Sequence, residues 1–115
     1  MHELSIAMEI LEIVEKEALK HGAGAVRKVR LKVGDLSGVE TDSLTFSFDA
    51  IKGEKKLAGK ADLLIQRTPA RIRCKPCGAD FEGRSGFIVS CPECEGFDTR
   101  LLAGDELEIV DIEID

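Results

Sequence analysis

The sequence predicts an α+β fold in which a small domain, two helices on a three-stranded sheet, contains an inserted Cys₄ zinc-ribbon domain. Two segments have helical periodicity, and three segments alternate as half-buried strands do. The four cysteines lie between the second and the last of these strands. We therefore expect residues 1–73 and 104–115 to form one domain and residues 74–103 to form the second, inserted domain.

The first helix is predicted from Leu4 to His21 and ends at Gly22. Charged residues such as Glu9 and Lys16 fall between its apolar positions. The apolar stripe repeats at three and four residues and comprises Leu4, Ala7, Met8, Leu11, Val14, Ala18 and Leu19.

A strand and a second helix follow. Residues 29–33 alternate strictly, and the glycine-containing segment 34–38 ends that strand. We expect Thr41 or Asp42 to cap the second helix and Gly53 to end it in the left-handed conformation. Leu44, Phe48 and Ile51 form its apolar side.

Strand segments flank the cysteines on both sides. Residues 61–65 begin a strand that continues toward residues 71–73, with Pro69 as a bend or edge position. Residues 106–114 alternate with a change of phase between Ile109 and Val110, as a β-bulge would produce. This arrangement predicts that the chain leaves the first domain near Arg73 and returns to it near Gly104.

Composition excludes several classes of protein. A chain of 115 residues with 43% hydrophobic and 33% charged residues forms one small globular core. It has no apolar run that could cross a bilayer, so we expect a cytoplasmic protein without membrane insertion. The net charge is −6, and there is no Trp or Tyr, which argues against nucleic-acid binding because that requires a basic stripe and often aromatic platforms.

The spacing of the cysteines predicts one tetrahedral metal site made of Cys74, Cys77, Cys91 and Cys94. Four thiolates leave no open position, so the predicted role of the ion is structural. A disulfide framework would need an oxidising compartment, but the first residues lack the features of a secretory signal. A redox C-x-x-C is normally single. Zinc is favoured, and iron bound as in rubredoxins remains an alternative because both metals accept four thiolates.

The N-terminus is a second candidate metal site. The amine of Met1, the amide nitrogen of His2 and its imidazole can fill three corners of a square. The amide nitrogen or carboxylate of Glu3, or an outside ligand, can supply the fourth. Square-planar nitrogen coordination suits Ni(II) and Cu(II) rather than Zn²⁺. The alternative is that His2 is a solvated side chain and that Glu3 only places a charge at the helix start. His21 lies at the end of the first helix, where we expect a structural role.

Taken together, these motifs resemble the HypA/HybF family of hydrogenase maturation factors. The resemblance rests on residues 1–6 (MHELSI), 33–39 (VGDLSGV), 43–48 (SLTFSF), the paired C-x-x-C knuckles and 104–109 (GDELEI), and it covers nearly the whole chain. It departs from the family after the last cysteine, where Glu95 and Gly96 replace the frequent Gly-Ser. Some relatives have a histidine shortly afterwards, but this chain has Phe97 and Asp98.

The resemblance implies a nickel metallochaperone and not an enzyme. It implies nickel transported at Met1, His2 and Glu3, and structural zinc at the four cysteines. The implied partners are the nickel-handling GTPase HypB, the large subunit of [NiFe] hydrogenase and, for some members, urease maturation proteins. The alternative from the residues alone is a zinc-ribbon adaptor that binds protein or nucleic acid and carries no mobile metal, in which His2→Ala would change nothing.

Overall fold

The computed structural model describes residues 2–83 and 90–115, and it confirms an α+β fold. Two helices and a three-stranded sheet are accompanied by a second small sheet that carries the four cysteines. In chain order the elements are α1 (Glu3–Lys20), β1 (Val26–Gly34), α2 (Thr41–Ile51), a 3₁₀ turn (Lys52–Glu54), β2 (Asp62–Thr68), β3 (Arg71–Cys74), β4 (Asp80–Glu82), β5 (Thr99–Ala103) and β6 (Leu107–Ile114).

The two sheets have three strands each. The first has the order β2-β1-β6, and the second has the order β4-β3-β5. In the second sheet β3 runs antiparallel to both neighbours, with Ile72 opposite Phe81 on one side and Leu101 on the other. The expected continuation of one strand from residues 61–65 to residues 71–73 is wrong, because β2 ends directly before Pro69 and β3 belongs to the other sheet.

The chain packs as two compact units. One comprises Met1–Lys32, Val39–Gln66 and Glu108–Asp115, and the other comprises Val33–Gly38 and Arg67–Leu107. The domain boundaries expected from the sequence, near Arg73 and Gly104, concern the independent folding of residues 74–103 and stay a prediction.

The core of the first unit is built from both helices and β1. Leu44 and Phe48 of α2 are fully buried, and so is Leu11 of α1. Burying a side chain as large as Phe48 contributes about 2 to 3 kcal/mol. The expected apolar stripe of α1 is partly wrong, because Leu4, Met8 and Leu19 are exposed and the buried face comprises Ile6, Ala7, Ile10, Leu11, Val14 and Ala18.

The residues at the helix ends agree only in part with those predicted from the sequence. Gly22 follows the end of α1, as predicted, and its φ of 66° is the left-handed conformation that glycine often adopts there. The expected role of Gly53 is wrong, because α2 passes directly into the 3₁₀ turn and Gly53 lies within it. The predicted capping by Thr41 or Asp42 is also wrong, because the Glu40 carboxylate accepts hydrogen bonds from the N–H groups of Asp42 and Ser43 (both 3.1 Å). Within the described part of the chain, neither helix has the length and apolar character needed to cross a membrane.

The second unit contains a close crossing of two backbone segments at Gly34 and Gly104. The N–H of Gly34 donates to the carbonyl of Glu106 (2.8 Å), and the N–H of Leu36 donates to the carbonyl of Gly104 (2.6 Å). A Cβ on Gly34 would overlap the carbonyl group of Gly104. Gly104 has φ of 120°, and a Cβ there would lie 2.6 Å from the Cα of Ala70. Glycine is therefore required on both sides of this crossing.

Candidate metal centre

Four cysteine side chains converge at one end of the small sheet. Cys74 is the last residue of β3, and the other three lie in the loops that follow β3 and precede β5. The Sγ atoms of Cys74 and Cys94 are 3.4 Å apart, those of Cys77 and Cys91 are 3.5 Å apart, and all four lie within 4.8 Å of one another. None of the four forms a disulfide. The structure therefore brings together the four residues predicted from the sequence.

The two C-x-x-C loops have the same hydrogen-bond pattern. In the first, Gly78 N–H donates to Cys74 O and Cys74 N–H donates to Ala79 O, both at 2.8 Å. In the second, Glu95 N–H donates to Cys91 O and Cys91 N–H donates to Gly96 O, also at 2.8 Å. Each loop turns back through a left-handed residue, Gly78 with φ of 77° and Glu95 with φ of 63°. We call these two loops, residues 74–79 and 91–96, the knuckles.

Each knuckle contributes one buried and one exposed thiol. The first cysteines, Cys74 and Cys91, are fully buried, whereas the second, Cys77 and Cys94, are exposed. The N–H of Glu93 also points at the sulfur of Cys91, at 3.4 Å. Such N–H donors stabilise the negative charge that a thiolate carries as a metal ligand.

Without a metal the thiols differ in acidity. The backbone N–H of Cys94 lowers the pKa of Cys91 to about 7, although burial acts in the opposite direction. The N–H of Cys77 lowers the pKa of Cys74, but burial and the neighbouring thiols outweigh this effect and raise it to about 12. Four thiols packed this closely cannot all be ionised without a cation among them. The cluster therefore has the chemistry of a metal site rather than of a reactive nucleophile.

The cluster fits a tetrahedral ion. Zn–S bonds of about 2.3 Å place tetrahedral sulfurs about 3.8 Å apart, which is close to the observed separations. The cysteines thus form a four-thiolate metal site consistent with zinc, and the thiolates are the residues that would hold the ion.

An ion-paired hairpin supports the first knuckle. The Arg73 guanidinium donates to both carboxylate oxygens of Asp80, at 2.8 Å and 3.1 Å, across the β3–β4 pair. These bonds lower the pKa of Asp80. The backbone N–H of Lys75 donates to Asp98 O (3.0 Å), which ties the first knuckle to the start of β5. The first knuckle is therefore held by β4 on one side and by the start of β5 on the other.

The predicted nickel residues lie at the start of α1. Met1 lies outside the described residues. His2 is the exposed N-cap residue of the helix, and its side chain makes no capping hydrogen bond. The Glu3 carboxylate accepts a hydrogen bond from the N–H of Glu40 (3.2 Å), at the start of α2. This contact links the first turns of the two helices.

Side chains alone do not assemble a second metal centre in residues 2–83 and 90–115. In those ranges the four cysteines are the one group of at least three His, Cys, Asp or Glu side chains whose ligand atoms converge. Glu40 was missed by the sequence reasoning, which favoured its neighbours as the cap. The signal that could have found it is an acidic residue directly before the predicted first turn of α2.

Comparisons with known proteins relate nearly the whole chain to a single family. Residues 1–114 match the sequence model of a family described as "HypA: Hydrogenase/urease nickel incorporation, metallochaperone, hypA". The hydrogenase maturation factor HypA of Streptomyces avermitilis is 43% identical over 113 residues, which are 97% of this chain and 86% of that protein. The HypA of Geobacter metallireducens is 40% identical over 115 residues, which are 100% of both chains.

The fold also has a counterpart of known structure. It is similar to the solution structure of the Ni metallochaperone HypA from Helicobacter pylori, with a TM-score of 0.69 and 22% sequence identity. The match covers 99% of this chain and 97% of the other. At this level of sequence identity, the similarity shows a shared fold.

Proposed function

Because this chain belongs to the HypA family of nickel metallochaperones for hydrogenase maturation, we propose that it binds Ni(II) as cargo at its N-terminus and holds Zn²⁺ between its cysteines. The family is not catalytic, so the chemistry consists of binding and releasing metal ions. The proposed nickel ligands are Met1, His2 and Glu3, and the proposed zinc ligands are Cys74, Cys77, Cys91 and Cys94.

The observation that supports the proposed nickel site is the position of His2 at the exposed start of α1. Helical hydrogen bonding begins with the Ile6 N–H, which donates to His2 O (3.3 Å). The N–H groups of His2 and Glu3 precede it, so neither has an intrahelical acceptor. A main-chain nitrogen here can release its proton to solvent and bind a metal in its place, without loss of a helical hydrogen bond. The imidazole is equally accessible because it does not cap the helix.

Glu3 has a second role that supports the same site. One of its carboxylate oxygens accepts the Glu40 N–H, while a carboxylate has two oxygens and about four acceptor positions. The contact holds the first residue of α1 against the start of α2. Glu3 can therefore restrict the direction in which the N-terminus leaves the helix and still offer an oxygen to nickel.

Two sites with different ligand types can separate two metals in one molecule. A closed set of four thiolates favours zinc, whereas nitrogen ligands in a square favour Ni(II) over Zn²⁺. Zinc at the cysteines supplies structural stability, because its bonds join the two knuckles to each other. The terminal site is exposed at one end of the chain, which suits an ion that must be handed on.

The family assignment implies that the chain works with the nickel-incorporation machinery of hydrogenase or urease. More specifically, we propose that it acts in the cytoplasm with the GTPase HypB, delivers nickel to the large subunit of [NiFe] hydrogenase, and can serve urease maturation proteins. The adaptor interpretation has no separate observation in its favour. Restoration of hydrogenase activity in cells that lack their own HypA tests the client, with urease activity as the second readout.

The nickel site is tested by calorimetric titration of the zinc-loaded protein with its native, untagged N-terminus. We expect one equivalent of Ni(II) to bind, and His2→Ala to abolish binding while the zinc content stays at one per chain. The matched control is His21→Ala, which removes the other histidine of the chain at an exposed position beside Glu17. If both variants bind nickel as the native protein does, the N-terminal site is wrong.

The identity of the structural metal is tested by elemental analysis of protein purified without added metal. One zinc per chain is expected. A coloured protein with one iron per chain would support the rubredoxin-like alternative instead, because ferric thiolates absorb visible light.

A further inference from the structure

The loop between α2 and β2 concentrates positive charge on a protein that is otherwise acidic. Residues 52–60 read KGEKKLAGK and contain four lysines and one glutamate, whereas the whole chain has a net charge of −6. Lys55, Lys56 and Lys60 line a surface cavity of about 340 Å³ together with Gly53 and Gly59. We call residues 52–60 the lysine loop.

The lysine loop is held in one conformation by a carboxylate from α1. Glu15, which is half-buried, accepts hydrogen bonds from the N–H groups of Leu57 (2.8 Å) and Ala58 (3.1 Å). On the other side, the N–H of Val26 donates to the carbonyl of Leu57 (2.9 Å). The side chain of Ala58 is fully buried beneath the loop. The loop is therefore anchored at its centre to two different elements.

Lys52 anchors the beginning of the loop and is not available to a ligand. Its ammonium donates to the carbonyl of Ala61 (2.9 Å), pairs with Asp49 (3.1 Å) and lies 5.9 Å from the centre of the Phe48 ring. The three remaining lysines differ in this respect. In the described residues, Lys55, Lys56 and Lys60 take part in no ion pair, although Lys20, Lys28 and Lys75 elsewhere each do.

We propose that the lysine loop is a docking site for an acidic segment of a protein partner, bound through Lys55, Lys56 and Lys60. Three neighbouring cations without an ion-pair partner attract a run of carboxylates, whereas the acidic remainder of the protein repels such a segment. The site is independent of the nickel proposal, because its residues contribute nothing to the N-terminus or the cysteines.

The geometry favours carboxylates on a flexible peptide over a phosphate group. A phosphate-binding loop presents consecutive backbone N–H groups to the anion. Here the consecutive N–H groups of Leu57 and Ala58 are already occupied by Glu15. The ammonium groups of Lys55, Lys56 and Lys60 act as separate point charges without fixed orientation. An extended acidic peptide can place a carboxylate near each of them in turn.

The test is binding of a dye-labelled oligoglutamate peptide of about ten residues, measured by fluorescence anisotropy of the full zinc-loaded chain at low salt. We expect the variant Lys55→Glu, Lys56→Glu and Lys60→Glu to lower the affinity at least about tenfold, since each exposed charge pair contributes a few-fold. Raising the salt from about 50 to about 300 mM should remove most of the binding to the native chain.

The matched control reverses three cations elsewhere and so has the same net charge. Lys20, Arg71 and Arg100 are exposed and lie outside residues 52–60 and outside the knuckles. The variant with all three changed to Glu should lose less than about twofold in affinity. If it loses as much as the loop variant, only the net charge matters and the proposal is wrong.

A second variant separates loop conformation from charge. Glu15→Ala removes a negative charge next to the loop, so a purely electrostatic effect would strengthen peptide binding. If the conformation held by Glu15 matters, binding weakens instead, and we expect a loss of about threefold or more in a variant whose circular dichroism is unchanged. Stronger binding in this variant would contradict a preorganised site.

The same experiment can reveal that the lysine loop binds a different ligand. Tighter binding of a single-stranded oligonucleotide or of pyrophosphate than of the peptide, lost in the loop variant, would overturn the assignment to a protein segment. Formation of a dimer at low salt that the peptide dissociates would identify a second copy of the chain as the occupant, and would also overturn it.

Discussion

Replacing Gly34 by alanine should destabilise the second unit severely, because the new methyl group has no space. Its Cβ would overlap the carbonyl group of Gly104 and lie 2.7 Å from the backbone nitrogen of Asp105. Non-bonded carbon atoms normally approach to about 3.5 Å, so clearing the carbonyl group of Gly104 requires the two segments to separate by about 1 Å. No side-chain rotation can relieve this, since the obstructing atoms belong to the backbone.

The cost follows from the hydrogen bonds at the crossing. Separation would break the bonds from Gly34 N–H to Glu106 O and from Leu36 N–H to Gly104 O. Each contributes about 1 kcal/mol, and residual strain adds to this, so we expect a loss of about 2 to 4 kcal/mol in the free energy of unfolding. For a chain of this size that lowers the melting temperature by roughly 10 °C.

The assay is thermal and urea unfolding of the zinc-loaded protein, followed by far-ultraviolet circular dichroism because the chain has no Trp or Tyr. Gly24→Ala is the control for the substitution itself, since Gly24 has open space around it and no positive φ, and its effect should stay within about 0.5 kcal/mol. Gly38→Ala isolates the cost of a positive φ, here 79° without any clash, at about 1 to 2 kcal/mol. An unfolding midpoint for Gly34→Ala equal to that of Gly24→Ala would refute the reasoning.

Three further predictions concern the metal centre and its support. Removal of the metal with a chelator should disorder the knuckles, while the helical circular dichroism of α1 and α2 persists. Loss of the helical signal at the same chelator concentration would contradict separate folding of residues 74–103. Glu95→Gly should raise stability by about 0.5 to 1 kcal/mol in urea unfolding, because φ of 63° is unfavourable for glutamate, and Gly78→Ala should have the opposite effect in the other knuckle. Because Arg73 lowers the pKa of Asp80, the pair stabilises the fold fully above the ordinary aspartate value of 3.8 and loses this contribution as the pH falls through the lowered pKa. The difference in unfolding midpoint between the native protein and Asp80→Asn should therefore be constant from neutral to mildly acidic pH, and a difference that shrinks there would show that another group titrates.

The sequence predicted features that depend on neighbouring residues. The knuckles follow from two fixed C-x-x-C spacings, and the end of α1 follows from Gly22, since both are local. The buried face of a helix was predicted less accurately where apolar residues occur on two of its faces. In α1 the apolar residues Leu4, Met8 and Leu19 fit a stripe as well as Ile6 and Ile10 do, and only packing against the rest of the unit decides between them.

Other features depend on contacts between distant positions and have no local signal. Gly34 and Gly104 are 70 residues apart, and Glu15 holds a loop 42 residues away. A residue pattern does not contain these pairings.

The alternation of buried and exposed thiols has a practical consequence for work with this protein in air. An oxidant that approaches from solvent reaches Cys77 and Cys94 first, while Cys74 and Cys91 are protected. The two accessible sulfurs belong to different knuckles and lie within 4.8 Å of each other, so their oxidation to a disulfide would join the knuckles and expel the ion. Samples stored without a reductant should therefore accumulate a cross-linked, zinc-free form, and thiol counting should precede every metal titration.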